Sequence, residues 1–263
     1  MDLDLKGKSV IVAAGSKGIG RATALEFAKE GAHVLIGSRE EQALKEAVSF
    51  IKEESGNQQV DYRVCDITDP NSVTAFVKKA LDWNGKVDVL INNAGGPPAG
   101  KFEQFDDQDW QAAFELNLLS YIRLAREVLP SMQAQQQGRI INIASSSIKQ
   151  SLDNLILSNT FRAGMVGLSK TLAREYANDN IMVNTIGPGR IDTERLASLD
   201  ENTAQGTGQT YDQVRQASEN TIPIGRYGSP EEFARIVVFL SSGANTYMTG
   251  QNLVIDGGLV KAL

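Results

Sequence analysis

A doubly wound α/β sheet of about seven parallel strands is the fold this sequence predicts, and three patterns predict it. Short β-branched runs alternate with longer helical stretches. Most of those runs are apolar throughout rather than at every second residue, and several helical stretches begin with readable start signals. A strand covered on both faces has no solvent side, so unbroken apolar character points to a parallel sheet between two layers of helices. In order, the candidate strands are SVIVAA from Ser9, HVLIGS from His33, QVDYRVCD from Gln59, VDVLINNA from Val87, RIINIASSS from Arg139, IMVNTIG from Ile181 and NLVIDG from Asn252.

The helices between them follow from capping and periodicity. The first is expected over Arg21–Lys29. After the second strand, Ser38 with Glu41 reads as a capping box. Asp69-Pro70 opens a helix whose stripe Val73, Phe76, Val77, Ala80, Leu81 has the spacing of one buried face. Ser229-Pro230-Glu231-Glu232 opens another, with an N-cap and early negative charge. From Trp110 to Leu129 and from Leu155 to Ala177, apolar or small residues lie on more than one face. A helix covered on one side by the sheet then needs a second partner, which predicts a homodimer or homotetramer through helices 110–129 and 155–177; a thick core within one chain is the simpler alternative. Ile191 to Ile222 breaks the rhythm, being polar, rich in Gly, Asn and Gln, and too long for a plain connection. It reads as a lid, 191–222, within one domain spanning 1–263.

Composition narrows the function. Lys and Arg number 26 against 32 Asp and Glu, a net charge of −6, which argues against nucleic-acid binding. No apolar run approaches the roughly 18–20 residues of a membrane span, and the opening MDLDLKGKSV lacks a signal-peptide layout. Cys65 and His33 are the sole residues of their types, so an intrachain disulfide and a Cys/His metal cage are both excluded. The expectation is a cytoplasmic protein without a metal, with a small molecule as its partner.

In a doubly wound sheet, ligands bind beyond the carboxyl ends of the strands. After the first strand stands Ala13-Ala14-Gly15-Ser16-Lys17-Gly18-Ile19-Gly20, leading into a helix. Such a turn lets backbone amides approach a diphosphate, while the helix N-terminus favours the anion; glycine also serves tight turns for purely structural reasons. Asp66 follows the third strand, Asn92-Asn93-Ala94-Gly95 the fourth, Asn117 lies in the next helix, and Ser145 ends the fifth strand. Pro188-Gly189 and Thr193 follow the sixth, and Asp256-Gly257-Gly258 lies near the end. In their order and spacing these pieces resemble the short-chain dehydrogenase/reductase family over nearly the whole chain, in general outline its ketoacyl-carrier-protein reductase branch.

The resemblance implies a Rossmann-like fold, a nicotinamide dinucleotide, and hydride transfer between a carbonyl and an alcohol. It implies coenzyme contacts from Gly15, Ser16, Lys17, Gly18, Ile19 and Gly20, from Ser38 and Arg39, from Asp66 and Ile67, and from Asn93, Ala94 and Gly95. Arg162, Pro188, Gly189, Ile191 and Thr193 complete the implied set. An acid at the end of the second strand marks NAD preference. Here that position holds Ser38 beside Arg39, and the glycine turn adds Lys17, so NADP(H) is favoured over NAD(H).

The implied catalytic residues are Asn117, Ser145, Ser158 and Arg162, and the last two depart from the family. Where it carries tyrosine and, four residues on, lysine, this chain reads Ser158-Asn159-Thr160-Phe161-Arg162. A phenol near pKa 10 can be drawn towards neutrality by a neighbouring cation, whereas a serine hydroxyl is a far weaker acid. Arginine keeps the positive charge but holds its proton too tightly for acid–base work. In the glycine turn, Ala13 and Ala14 occupy the family's first two positions, and the extra methyl of Ala14 is expected to crowd the turn. Lys149, Tyr211, Tyr227, or a water held by Asn117, Ser145 and Ser158 are the other candidate proton sources. Two readings follow: an NADP(H)-dependent oxidoreductase of a carbonyl or alcohol with a non-standard proton donor, or a dinucleotide-binding homologue without dehydrogenase chemistry.

Overall fold

The computed structural model describes residues 2–262. Its strands are β1 (Ser9–Ala13), β2 (His33–Ser38), β3 (Val60–Val64), β4 (Val89–Asn92), β5 (Gly138–Ile143), β6 (Ile181–Pro188) and β7 (Asn252–Ile255). They form one sheet in the order β3-β2-β1-β4-β5-β6-β7, with every neighbouring pair parallel. This is the predicted Rossmann-like topology. Its order reverses between β1 and β4, where a crevice opens at the strands' carboxyl ends.

Around the sheet lie α1 (Gly18–Lys29), α2 (Glu41–Ser55), α3 (Pro70–Asn84), α4 (Asp107–Phe114) and α5 (Ser120–Ala134). There follow α6 (Ile156–Glu175), α7 (Glu194–Thr207), α8 (Tyr211–Thr221) and α9 (Pro230–Ser241). Strand alternation divides the core in two. Val10 and Val12 of β1 pack with Phe27, Leu44 and Phe233 on one face, while Ile11 and Ala13 pack with Phe76, Leu124 and Val128 on the other. Each such fully buried side chain contributes about 1.5–3 kcal/mol from leaving water.

Several expected element starts are in place and others move. Asp69 caps α3 by accepting from the Asn71 amide, with Pro70 as its first residue. Ser229 and Glu232 form the reciprocal capping box of α9. The first helix begins at Gly18, three residues before the predicted Arg21, because Lys17 ends in an extended conformation and opens the helix without a side-chain cap. The predicted Ser38–Glu41 capping box is absent: Glu40 is the N-cap of α2 and makes no cap bond, and the Ser38 hydroxyl is buried without a partner. The helix expected over 110–129 is instead α4 and α5 joined by a π turn, Glu115–Leu119. The 191–222 segment folds as α7 and α8. Their signals are local, namely Thr193 capping α7, Gly208 ending it in a left-handed conformation, and the Thr210–Gln213 capping box opening α8.

Candidate active site

Four chain reversals meet at the crevice between β1 and β4. The β1–α1 turn is built tightly. Ala14 sits at φ +47 and Gly18 at φ +53, a region where L side chains are disfavoured by about 1–2 kcal/mol. The turn therefore bears the cost of the Ala14 methyl, since Ala14 itself takes the left-handed conformation, while Gly15 lies too close to Ile36 for a side chain, its added Cβ falling 2.8 Å from the Ile36 Cβ. A Cβ on Gly20 would overlap the Ala14 carbonyl oxygen, so the first turn of α1 can approach the β1 end only with glycine there. Asn93 donates to that same carbonyl at 3.4 Å, tying the β4 loop to the glycine turn. What remains is a helix N-terminus whose amides have no side-chain cap, a favourable place for an anion.

A cleft of about 520 Å³ runs from this turn across the sheet edge. Ser16 and Lys17, Ser38 and Arg39, Asp66 and Ile67, and Ala94 and Gly95 all line it. Arg39 is exposed and makes no ion pair among the described residues, whereas Lys17 lies 3.7 Å from Glu194. Burial pushes the Asp66 carboxyl up, but bonds from the Thr68 amide and hydroxyl and the charge of Arg39 outweigh it and hold the group below its ordinary value. Asp66 is thus an acceptor at neutral pH. Cys65, also on this cleft, is pushed up to about 11 by burial and is a neutral thiol.

Asn117, Ser145, Ser158 and Arg162 lie beyond Gly95. The π turn points Asn117 inward, where its Nδ2 donates to the Gly95 carbonyl at 2.8 Å and its buried Oδ1 has no partner. Ser145 lies two residues beyond the end of β5, not at it as expected, and caps a short turn, Ser146–Ile148, accepting from the Ser147 amide at 3.2 Å. Helix α6, which carries Ser158 and Arg162, packs against both the π turn and the Ser146–Ile148 turn. Ser158 is 7% exposed and Arg162 3%. The guanidinium is committed to the protein, with Nη1 donating to the Tyr121 hydroxyl at 3.1 Å and to the Ile143 carbonyl at 3.0 Å. Tyr121 is fully buried and donates to that same carbonyl at 2.9 Å. Sequence reasoning missed Tyr121, since four residues after Asn117 and among apolar neighbours it reads as core.

On the other side, Gly189 donates to the Ile255 carbonyl and has no room for a side chain beside Asp256. Pro188 ends β6, Ile191 is buried against Gly228, and the Thr193 methyl group would lie 3.4 Å from a Cβ on Gly18. The first turn of the 191–222 segment thus reaches the glycine turn. Of the other candidate proton sources, Lys149 is exposed and Tyr211 lies 3.5 Å from Arg215. Tyr227 is buried and donates to Asp200 at 2.7 Å, with its phenol pushed up by burial.

Comparison with known proteins agrees with this architecture. The family described as "Enoyl-(Acyl carrier protein) reductase" matches residues 13–260. The chain is 36% identical to the 3-oxoacyl-[acyl-carrier-protein] reductase FabG of Thermotoga maritima over 97% of this chain and 99% of that one. It is 34% identical to the uncharacterized oxidoreductase YvrD of Bacillus subtilis over the full length of both. Its structure superposes on L-sorbose reductase from Gluconobacter frateurii, solved with NADPH and L-sorbose, with a TM-score of 0.95 at 36% identity and complete coverage of both chains. An actinorhodin polyketide ketoreductase solved with NADPH gives 0.92 at 32% identity, covering 96% of this chain and 97% of that one. The chain belongs to the short-chain dehydrogenase/reductase family of oxidoreductases, with the 3-oxoacyl-carrier-protein reductases among its relatives.

Proposed function

We propose that this protein is an NADP(H)-dependent oxidoreductase that interconverts a carbonyl and an alcohol, with a proton source other than a tyrosine. The observation that carries the reading is the 520 Å³ cleft, which joins an uncapped helix N-terminus to the unpartnered Ser38 hydroxyl and to Arg39, which makes no ion pair among the described residues. Those residues fit a phosphorylated dinucleotide. The α1 amides and Gly15–Gly20 would hold the diphosphate, and Ser38, Arg39 and Lys17 the 2′-phosphate. Asp66 and Ile67 would hold the adenine end, with Asn93–Gly95 and the Pro188–Thr193 loop at the nicotinamide end. When bound, the coenzyme supplies or accepts a hydride.

The remaining residues handle the oxygen and its proton. Ser145 would orient the substrate oxygen, and Ser158 would stand beside it as a second hydroxyl. Arg162 would act as a fixed positive charge beneath the site, because its bonds to Tyr121 and Ile143 turn it into the protein. The Asn117 Oδ1, buried and without a partner, would hold the water from which the proton comes. The lid would be α7 and α8. Helices α5 and α6 expose a groove lined by Ile122, Leu129, Leu168 and Tyr176, and homo-oligomers would form through this face.

A second reading, coenzyme binding without dehydrogenase chemistry, is favoured by the same inward commitment of Arg162. One variant separates the two. Ser158→Tyr with Arg162→Lys is expected to raise NADPH oxidation across a panel of ketones by more than tenfold if an acid alone is missing. Turnover absent in wild type and unchanged in the double variant would establish the second reading.

A further inference from the structure

Four arginines lie between residues 188 and 232, and three of them are held by carboxylates. Arg190 bonds Asp200 at 3.0 Å, Arg215 bonds Asp192 at 2.7 Å and Glu219 at 3.0 Å, and Arg226 bonds Glu232 at 2.7 Å. Arg195 is the exception. It is exposed and, among the described residues, makes no ion pair or hydrogen bond. It also occupies the first turn of α7, the end of a helix where a positive charge is unfavourable. Neither helix electrostatics nor an acidic neighbour accounts for a cation there.

Its position gives it a task. The Nη2 of Arg195 lies 3.8 Å from where a Cβ on Gly96 would be, so the guanidinium spans from α7 to the loop that follows β4. That loop is fastened at both ends to the catalytic side of the site. Asn117 holds Gly95 at one end, and the Gly100 amide donates to the Asn154 carbonyl at 2.6 Å, just before the helix of Ser158, at the other. Arg195 thus stands at Gly96, on the rim of the 520 Å³ cleft, against the loop whose two ends lead to Asn117 and to the helix of Ser158. The helix that carries it is anchored, because Asp200, 2% exposed, accepts from both Arg190 and the Tyr227 hydroxyl. A guanidinium presented from a fixed helix, unpaired, at the mouth of a polar site is suited to a carboxylate or phosphate.

We propose that Arg195 binds an anionic group on the substrate, so that the carbonyl compound this protein reduces carries a carboxylate or a phosphate. The proposal rests on the reductase reading above and deepens it. Ketone binding to the NADPH-loaded protein, followed by nicotinamide fluorescence, tests it with matched probes: C4–C6 keto acids against their methyl esters, and fructose 6-phosphate against fructose. At least one anion is expected to bind ten times or more tighter than its neutral counterpart, the better of the two anion classes naming the group. Arg195→Gln is expected to erase that preference and Arg195→Lys to restore part of it, with NADPH affinity unchanged within twofold in both. Equal binding of anions and neutral counterparts, or no binding of any anion, would overturn the proposal. So would a tenfold loss of NADPH affinity in Arg195→Gln with the anion preference intact, which would assign the guanidinium to the coenzyme. Failure of the wild-type protein to bind NADPH at all would instead remove the coenzyme reading itself, and this proposal with it.

Discussion

Replacing Arg39 with alanine separates the two forms of the coenzyme. Arg39 lines the cleft beside Ser38, is solvent-exposed, and makes no ion pair among the described residues, its charge being felt only at a distance by Asp66, whereas Lys17 is drawn towards Glu194. The 2′-phosphate would therefore rest mainly on Arg39. Two unit charges 4 Å apart attract by about 1 kcal/mol in water and about 4 kcal/mol at the effective dielectric of a protein surface. The open setting of Arg39 places it near the lower figure, and a phosphate of nearly two charges brings the loss to about 2 kcal/mol, roughly 30-fold in Kd. In fluorescence titrations, Arg39→Ala is expected to weaken NADPH by that factor and to leave NADH within about twofold. Raising the salt shortens the Debye length from about 10 Å at 0.1 M to about 3 Å at 1 M, so the gap should narrow. Equal weakening of both coenzymes, or tighter NADH than NADPH in the wild-type protein, would refute the argument.

Two further outcomes concern stability. Tyr121→Phe removes a buried hydroxyl that bridges Arg162 and the Ile143 carbonyl; a loss of about 1–2 kcal/mol is expected from the denaturant midpoint, since Arg162 keeps its own bond to that carbonyl. Glu232 is held down to about 2 by the Arg226 guanidinium and by the Ser229 amide. Because its folded value lies below its ordinary one, the stability it contributes is complete above about pH 4.5 and is lost as pH falls towards 2. Glu232→Gln should therefore be less stable than wild type at pH 7, with the gap closing over that window; a gap constant with pH would contradict the assignment.

The sheet was legible because burial on both faces leaves its mark along the central strands, though less at the edges, where β3 and β7 are only partly covered. Ile140, Ile141 and Ile143 of β5 are all buried, and no local choice competes with that pattern. Helix starts were legible where a side chain does the capping, as at Asp69 and Ser229, and not where the backbone does it alone, as at Lys17. Ser38 shows the converse: the right residue type stood at a plausible spacing, but Ser38 is the last residue of β2 and the chain bends at Arg39, so that Glu40 becomes the N-cap of α2. In the candidate site, the four-residue spacing of Ser158 and Arg162 places both on one helix face. It says nothing of where a long side chain ends. The guanidinium finds Tyr121 and Ile143, two partners distant in sequence that only the packing of α5 and β5 against α6 brings within reach. The π turn at Asn117 was equally hidden, since a continuous helix and one with an inserted residue share nearly the same apolar pattern.

The most direct measurement of the central claim is a calorimetric titration of the folded wild-type protein with NADPH and with NADH. The account predicts saturable uptake of one NADPH per chain, tighter than NADH. A flat titration with both nucleotides at millimolar concentration would contradict it, because a cleft with an uncapped helix N-terminus would then have no dinucleotide to hold.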